Sequence, residues 1–279
     1  MTQQPDTTPD TTPGSVGQAY DQFGDAGATT ALGGNIHVGY WQDDHDVPVA
    51  EATDHLTDLV AGRLAPRPGQ RLLDVGCGIG VPALRIAGAH DVHVTGINVS
   101  RQQITQASER ADGSDARGRA SFLFADAMDL PFEDGSFDGA WAIESLLHMS
   151  DQSTALAQIH RVVRPGGRLV VADLCRRKPF TGQDEALLDG MLNVYRIAGI
   201  STPEEHRARL ARTGWQLLEL TDIGEQVRAS YGHASAAFRE LAASLDTFAA
   251  GQITAAADLM EAFGKHPDAG YVLITAQRP

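Results

Sequence analysis

The feature that most constrains the fold of this chain is a glycine-rich turn within residues 72–80, which read Leu-Leu-Asp-Val-Gly-Cys-Gly-Ile-Gly. The glycines alternate, at Gly76, Gly78 and Gly80, and a helix-like run follows over residues 81–89. A strand that turns directly into a helix presents backbone N–H groups to a ligand, and glycine lets that ligand lie against the main chain. The turn therefore predicts a nucleoside-type cofactor site at the carboxyl edge of a parallel sheet.

The spacing of the glycines argues against a dinucleotide as that cofactor. Dinucleotide-binding turns have the pattern G-x-G-x-x-G. Counted from Gly76, the third glycine comes one position early, and Val81 stands where the dinucleotide pattern has glycine. We therefore expect a different nucleoside cofactor; the alternative is a strand–helix turn that binds nothing.

Strand-like and helix-like runs alternate through the middle of the chain. Ser100 is placed to cap one helix, and a Pro-Gly-Gly turn at 165–167 precedes a strand. This alternation predicts an α/β fold with a parallel sheet covered by helices on both faces. The predicted strands are 71–75, 92–97, 120–125, 137–142 and 168–174, and the predicted helices are 49–64, 81–89, 101–111 and 151–163.

The ends of the chain differ from its middle. Residues 1–15 are polar and contain Pro-Asp-Thr-Thr twice, so we expect a flexible tail before a single domain at 16–279. Residues 16–66 form a predicted helical cap. Helical segments near an expected ligand edge often serve as a lid or an acceptor wall, with plain packing on the sheet as the alternative. The predicted lid helices are about 183–200 and 228–264, within helical stretches at 183–213 and 228–264, and the last strands are 215–222 and 270–276.

Charge and composition exclude several classes of partner. The chain has 279 residues, a formal net charge of −14 and only two cysteines, Cys77 and Cys175. An acidic surface disfavours nucleic acid and anionic membranes as partners. The sequence also lacks an apolar run of bilayer length, a secretory signal and a disulfide framework. These features predict a cytoplasmic protein with a small-molecule substrate.

Several blocks, taken in order, resemble the class I S-adenosylmethionine (SAM) methyltransferases of bacterial natural-product pathways, and especially the sugar O-methyltransferases of the rebeccamycin type. The glycine turn resembles the first motif of that family, Asp-x-Gly-x-Gly-x-Gly. The resemblance covers nearly everything after residue 16. It is carried by residues 35–41, 73–80, 94–97, 125–132, 136–138, 144–149, 164–167 and 269–274.

The resemblance implies a Rossmann-like, seven-stranded sheet with an antiparallel last strand and SAM across the carboxyl ends of its first strands. The glycine turn would line the methionine and ribose moieties, and Asn98 would reach the ribose where many relatives carry an acid. Asp126 would accept from the adenine amino group. The implied cofactor-binding residues are Tyr20, His37, Asp74, Gly76, Gly78, Gly80, Asn98, Gln103, Asp126, Ala127, Met128 and Glu144.

The resemblance also implies a catalytic histidine, His148, after the fourth strand. A histidine suits removal of a proton from an acceptor hydroxyl because its pKa lies near working pH. Some relatives carry two histidines in this block, whereas Leu147 occupies one of those positions here. Asp173, at the end of the fifth strand, would orient His148 or contact the acceptor hydroxyl; the alternative is a strand-end cap. In the cap, Tyr40 and Trp41 are expected either to cover SAM or to pack.

We expect no metal, since no His, Cys, Asp and Glu cluster has ligand spacing. The resulting hypothesis is a SAM-dependent O-methyltransferase that acts on a hydroxyl of a secondary metabolite such as a sugar, a macrolide or a polyketide. Two alternatives stay open: methyl transfer to carbon or nitrogen, and a cyclase that keeps SAM without transferring its methyl group. The sequence names neither the acceptor nor an oligomeric state.

Overall fold

A computed structural model describes residues 9–25, 35–42 and 47–279 of the chain. One seven-stranded sheet, in the spatial order β3-β2-β1-β4-β5-β7-β6, forms its centre. The strands are β1 (Arg71–Val75), β2 (His93–Asn98), β3 (Ala120–Phe124), β4 (Phe137–Ile143), β5 (Val163–Arg176), β6 (Gln216–Asp222) and β7 (Ala269–Gln277).

The strand pairing creates a switch point beside the glycine turn. β1 lies between β2 and β4 and is parallel to both, while β7 is antiparallel to β5 and β6. The chain runs outward from β1 through β2 to β3, then returns to β4 on the other side of β1. Ligands bind where strand order reverses in an open α/β sheet, so the carboxyl ends of β1 and β4 mark the expected site. The predicted seven-stranded α/β fold with an antiparallel last strand is confirmed.

Helices cover the sheet and extend beyond its carboxyl edge. Ser100 caps its helix as predicted, because its hydroxyl accepts from the Gln103 N–H at 3.0 Å. The helices are α1 (Pro13–Asp25), α2 (Val49–Leu64), α3 (Val81–His90), α4 (Arg101–Asp112), α5 (Gln152–Val162), α6 (Gln183–Val194), α7 (Pro203–Arg212), α8 (Gly224–Val227), α9 (Ala229–Ala242) and α10 (Thr247–Lys265), with a 3₁₀ turn at Leu146–His148.

The core lies on both faces of the sheet because successive strand residues point to opposite sides. Leu72 of β1 packs in one cluster with Leu56 of α2, whereas Leu73 packs in the other cluster with Ile159 of α5. All four side chains are fully buried. Near-continuous burial along β1 is typical of a strand covered on both faces.

Several element boundaries differ from the sequence predictions, and the predicted lid helix at about 183–200 ends at Val194. α1 begins at Pro13, inside the predicted tail, while residues 1–8 of that tail lie outside the described residues. β5 begins at Val163 rather than 168, since the chain pairs with Phe137 before the Pro-Gly-Gly turn shifts its register. The helical stretch at 228–264 is two helices, α9 and α10, which pack against each other. Within the part of the chain that the structure describes, no helix is both long and apolar enough to span a membrane.

Candidate active site

A pocket opens where β1, β2 and β4 end, and α1 with residues 35–37 covers it. Its lining includes the ends of all three strands. We call it the cofactor pocket. Of the predicted cofactor residues, it is lined by Tyr20, His37, Asp74, Gly76, Gly78, Asn98, Gln103, Asp126, Ala127, Met128 and Glu144.

The glycine turn requires glycine at Gly76 for two reasons. Its φ is +75°, in the left-handed region, and a Cβ there would lie 2.3 Å from the Cβ of Ser145. Ser145 is fixed in turn, because its hydroxyl donates to the Val75 carbonyl at 2.6 Å. The turn and the end of β4 are therefore locked together.

Gly80 does not line the cofactor pocket, contrary to the prediction. A Cβ at this position would lie 2.7 Å from the Phe122 ring and 3.0 Å from the Cβ of Ala107. Gly80 is the N-cap of α3 with φ of +82°, so its missing side chain admits the packing of β3 and α4. The third glycine of the motif thus serves the packing of the fold.

Asp74 places an unsatisfied acceptor at the bottom of the pocket. The side chain is buried, and its Oδ2 has no hydrogen-bond partner among the described residues. Burial raises the pKa of this carboxyl to about 8, with the Trp141 indole N–H opposing the shift. Because a buried carboxylate without a full set of partners is costly, this oxygen suits the ammonium group of a ligand, whose charge favours the ionised form.

Asn98 and Gln103 form one polar unit on the pocket wall. The Asn98 side-chain amide donates to Oε1 of Gln103 at 2.7 Å, and its own oxygen accepts from the Val99 N–H at 2.7 Å. The pair joins the end of β2 to the first turn of α4. It presents neutral donors and acceptors where a ribose hydroxyl is expected.

The loop after β3 is closed by its own aspartate. Oδ1 of Asp126 accepts from the Met128 N–H at 2.9 Å. Met128 lines the pocket, and its N–H is engaged by Asp126. Asp126 and Ala127 remain on the pocket wall.

Glu144 ties the cap to the sheet. Its Oε1 accepts from the Val38 N–H at 2.8 Å and from the Tyr271 hydroxyl at 3.0 Å. Glu144 has φ of +46°, an uncommon conformation for a non-glycine residue that is typical of functional sites. Burial raises the pKa of its carboxyl to about 7, against the two hydrogen bonds that lower it.

His148 is held by two hydrogen bonds that define its tautomer. Nδ1 lies 2.9 Å from the carbonyl oxygen of Arg196, which only accepts, so Nδ1 carries the proton. Nε2 is then the acceptor and lies 2.8 Å from the Tyr20 hydroxyl. Burial lowers the pKa of His148 to about 4, so the ring is neutral at pH 7. This is the form that accepts a proton through Nε2.

The predicted pairing of Asp173 with His148 is not formed. Asp173 is buried, and its two carboxylate oxygens accept from the Leu147 N–H at 3.2 Å and the Leu174 N–H at 3.0 Å. Both ring nitrogens of His148 have other partners. The reason is geometric: the 3₁₀ turn directs its backbone, rather than the imidazole, toward β5. Asp173 therefore contacts the 3₁₀ turn through the Leu147 N–H and caps the end of β5.

A second cavity adjoins the first and reaches into the helical layer. It lies between the cap, α6, α9 and α10. We call it the acceptor chamber. Five residues line both this chamber and the cofactor pocket: Tyr20, Ile36, His37, Glu144 and His148.

The cap residues divide into lining and packing positions. His37 lines both cavities, with Nδ1 2.8 Å from the Val38 carbonyl, and burial lowers its pKa. Trp41 is only 1% exposed, donates to the Val47 carbonyl at 3.0 Å and stacks on His233. Tyr40 packs against the core, so both of these aromatic residues have packing roles.

Sequence reasoning missed Arg196 and Val38, which act through main-chain atoms. Arg196 has φ of +52° and turns its carbonyl toward His148 after the end of α6. The same turn is anchored where the Ala198 N–H donates to the Leu147 carbonyl at 2.8 Å. No side-chain pattern signals such contacts, because any residue supplies the same carbonyl or N–H group.

The residues that line the cofactor pocket fit SAM. The orphan oxygen of Asp74 suits an ammonium group, and the Asn98–Gln103 unit suits a ribose. Among residues 9–25, 35–42 and 47–279, no three His, Cys, Asp or Glu side chains come close enough to hold a metal ion.

Comparisons with known proteins agree with this site. Residues 73–171 match the model of a methyltransferase domain. The chain is 40% identical over 270 residues to 27-O-demethylrifamycin SV methyltransferase of Amycolatopsis mediterranei, covering 96% of this chain and 98% of the relative. It is 41% identical to O-methyltransferase cnsE of Penicillium expansum over 96% of this chain and 93% of the relative.

A solved structure is similar over nearly the full chain. The [4+2]-cyclase SpnF superposes with a TM-score of 0.85 and 34% identity, covering 97% of this chain and 98% of that chain. The similarity to this structure and to the two sequence relatives extends over both cavities and not only over the glycine turn. It therefore assigns the chain to a family. The chain belongs to the class I SAM-dependent methyltransferases and is a SAM-dependent enzyme of that family.

Proposed function

We propose that this enzyme transfers the methyl group of SAM to a hydroxyl oxygen of a small-molecule natural product, with His148 as the general base. The observation that carries the proposal is the position of Nε2 of His148. His148 lines both cavities, its ring proton is held on Nδ1 by the Arg196 carbonyl, and Nε2 accepts from the Tyr20 hydroxyl. A hydroxyl that enters from the acceptor chamber would reach this neutral base through the Tyr20 hydroxyl, at the edge of the cofactor pocket.

SAM is proposed to bind through side chains of the three strand ends. Asp74 would accept from the ammonium group, the Gly76–Gly78 main chain would face the methionine moiety, and Asn98 with Gln103 would take the ribose. Asp126 and Ala127 would face the adenine. Glu144 lies with His148 where the two cavities meet, so its carboxylate is placed to face the positive sulfur. When bound, SAM supplies an activated methyl group.

The remaining chemistry is alignment and proton removal. An alcohol oxygen becomes strongly acidic as it gains a methyl group, so a weak base such as buried His148 is sufficient. The acceptor hydroxyl gives its proton to the Tyr20 oxygen as the Tyr20 proton moves to Nε2. The resulting imidazolium keeps its other proton on Nδ1, which donates to the Arg196 carbonyl. General-base assistance of this kind contributes roughly 10²–10⁴-fold to the rate.

Tyr20 is proposed to relay that proton. Its hydroxyl is the direct partner of Nε2, and burial, with Glu144 and Asp173 nearby, raises the pKa of the phenol. Tyr20 therefore stays protonated and donates to Nε2 while its oxygen accepts from the incoming hydroxyl. The cap also closes the pocket against water, which protects the alignment.

The relatives support oxygen as the methyl acceptor. Both sequence relatives described above carry names of methyltransferases, one at the 27-oxygen of a rifamycin and the other an O-methyltransferase. The likeness to SpnF favours a second candidate function, a cyclisation in which the methyl group stays on SAM. Release of S-adenosylhomocysteine (SAH) separates the two reactions, since only methyl transfer produces it.

The test is an acceptor screen by mass spectrometry. The purified enzyme and SAM are incubated with hydroxylated macrocycles, glycosides and aromatic polyketides, and acceptor mass is followed together with SAH. Methyl transfer adds one CH₂ to the acceptor mass with equal release of SAH. A new NMR methyl signal in the methoxy region then places the added methyl group on oxygen. A product of unchanged mass with intact SAM would reject O-methylation in favour of cyclisation.

A further inference from the structure

We propose that the acceptor chamber binds the apolar scaffold of a neutral molecule and presents a single hydroxyl of that molecule to His148, so that sugars and charged acceptors are excluded. This inference rests on the proposed function and narrows its acceptor class. It chooses among the sugar, macrolide and polyketide acceptors that the sequence leaves open.

The walls of the chamber are hydrocarbon. α6 and α10 supply Met191 and Met260, α9 supplies Phe238, and the sheet edge supplies Leu147 and Leu174. Val49, Ile197 and Ala234 complete the apolar lining. Methionine side chains fill irregular gaps and adapt to apolar ligands of varied shape. Such walls stabilise a bound hydrocarbon scaffold through burial of its surface.

Charge in the chamber is limited to its inner end. Among the described residues that line it, there is no lysine or arginine, and the single acid is Glu144 at the junction with the cofactor pocket. A phosphate, sulfate or carboxylate would enter without a cationic partner and would face that carboxylate. Desolvation of an unpaired charge makes such an acceptor unfavourable.

Most polar groups of the lining are already engaged within the protein. The Ser230 hydroxyl accepts from the Gly39 N–H at 2.8 Å, and the Tyr195 hydroxyl donates to the Ala256 carbonyl at 3.3 Å. Glu144 accepts from Val38 and Tyr271, and His37 bonds the Val38 carbonyl. Tyr20 and His148 bond each other, and Tyr231 and His233 are the remaining polar side chains of the lining. The several hydroxyls of a sugar outnumber these groups, and each hydroxyl that loses water without finding a partner weakens binding by about 5- to 150-fold.

The chamber has one reactive end. Only its inner end, at Tyr20 and His148, carries the Nε2 that takes a proton. A molecule that fills the chamber therefore exposes one position to the reaction, which makes methyl transfer selective for a single hydroxyl.

The test measures binding without turnover, on the full-length enzyme loaded with SAH. Nile red, a neutral dye that fluoresces in apolar cavities, is titrated and then displaced by testosterone, testosterone sulfate or methyl α-D-glucopyranoside. We expect displacement by testosterone at concentrations at least tenfold below those of the other two. Equal displacement by the sulfate or the glucoside, or no dye binding, overturns the inference.

A matched pair of variants locates the dye. Ala234 lines the chamber from α9, whereas Ala236 of the same helix is exposed and does not line it. Ala234→Trp should weaken dye binding at least tenfold, and Ala236→Trp should leave it unchanged. Equal effects of both variants would place the dye elsewhere and overturn the inference. Circular dichroism melts of both variants verify that they fold.

The two proposals fail in different ways. Methyl transfer to a glucoside by an enzyme that binds no neutral dye would reject the apolar chamber and leave O-methylation standing. Selective binding of dye and testosterone in an enzyme that releases no SAH with any acceptor would reject O-methylation and leave the apolar chamber standing.

Discussion

The hydroxyl of Tyr20 lies 2.8 Å from Nε2 of His148, although 128 residues separate them in the sequence. Their rings meet edge to face, with centroids 5.3 Å apart. Tyr20 belongs to α1 in the cap and His148 to the turn after β4. The contact therefore joins the cap to the turn after β4, and in the proposed mechanism it links the cover of the cofactor pocket to the general base.

Tyr20→Phe tests the relay directly. The variant keeps the edge-to-face contact but removes the only hydroxyl bonded to Nε2. We expect kcat to fall about 10- to 100-fold, a part of the usual general-base contribution, with little change in the Kd for SAM. Steady-state kinetics and calorimetry measure the two quantities. An unchanged kcat would mean that the acceptor hydroxyl replaces Tyr20 at Nε2.

His148→Ala should separate chemistry from cofactor binding. The variant removes the proposed base, so turnover should fall by roughly 10²–10⁴-fold. SAM affinity should stay within a few-fold of wild type, because the proposed cofactor contacts lie on other residues. Single-turnover rates and calorimetry provide the comparison. Full turnover in the variant would leave alignment alone as the source of the rate.

The pH dependence of kcat should report the depressed pKa of His148. Burial lowers this pKa to about 4, with the Arg196 carbonyl opposing the shift, and the base works in its neutral form. Activity is therefore present above that pKa and is lost as the pH falls through it. We expect kcat at saturating SAM and acceptor to be flat from about pH 6 to 8 and to decline below about pH 5. An inflection near 6.5, the ordinary value for histidine, would contradict burial of the ring in the working enzyme.

Glu144 should make SAM binding more pH-dependent than SAH binding. Burial raises the pKa of Glu144 to about 7, and a positive sulfur favours its ionised form. SAM affinity should fall as the pH falls through 7, which increases the ratio Kd(SAM)/Kd(SAH) about tenfold between pH 8 and pH 6. Asp74 faces the ammonium group that both ligands share, so its effect cancels in the ratio.

Calorimetry at the two pH values measures this ratio, and Glu144→Gln is the control. The glutamine removes the titrating charge but keeps an oxygen that accepts from the Val38 N–H. A ratio that changes with pH equally in wild type and variant would assign the effect to another group.

Gly76→Ala should abolish cofactor binding and lower stability. The new Cβ would lie 2.3 Å from the Cβ of Ser145, at a φ of +75° that disfavours alanine. Gly88→Ala is the matched control, because Gly88 lies inside α3 with nothing within 4 Å of an added Cβ. Thermal melts should show Gly76→Ala destabilised and Gly88→Ala stabilised by about 0.5–1 kcal/mol. A wild-type melt and wild-type SAM affinity for Gly76→Ala would contradict the locked turn.

The strand pattern and the sequence motifs of the site could be predicted from the sequence because each depends on residues that are close together in the chain. Alternation of strand and helix predicted the α/β sheet, and the boundaries of α2 and β1 agree with the structure. The break of the 228–264 stretch into α9 and α10 was not predicted, since an alanine-rich run favours helix throughout and the turn arises from the packing of the two helices against each other.

The amino-acid sequence by itself determined which side chains stand at the strand ends, Asp74, Asn98, Asp126, Glu144 and His148 among them. Spacing along a strand sets these positions, because parallel strands end at one edge. Only the tertiary structure decided how they pair. It gave His148 the Arg196 carbonyl and the Tyr20 hydroxyl instead of Asp173, and it placed Gly80 against Phe122 instead of in the pocket. Those pairings depend on main-chain direction and on contacts between distant segments, which residue type and spacing do not encode.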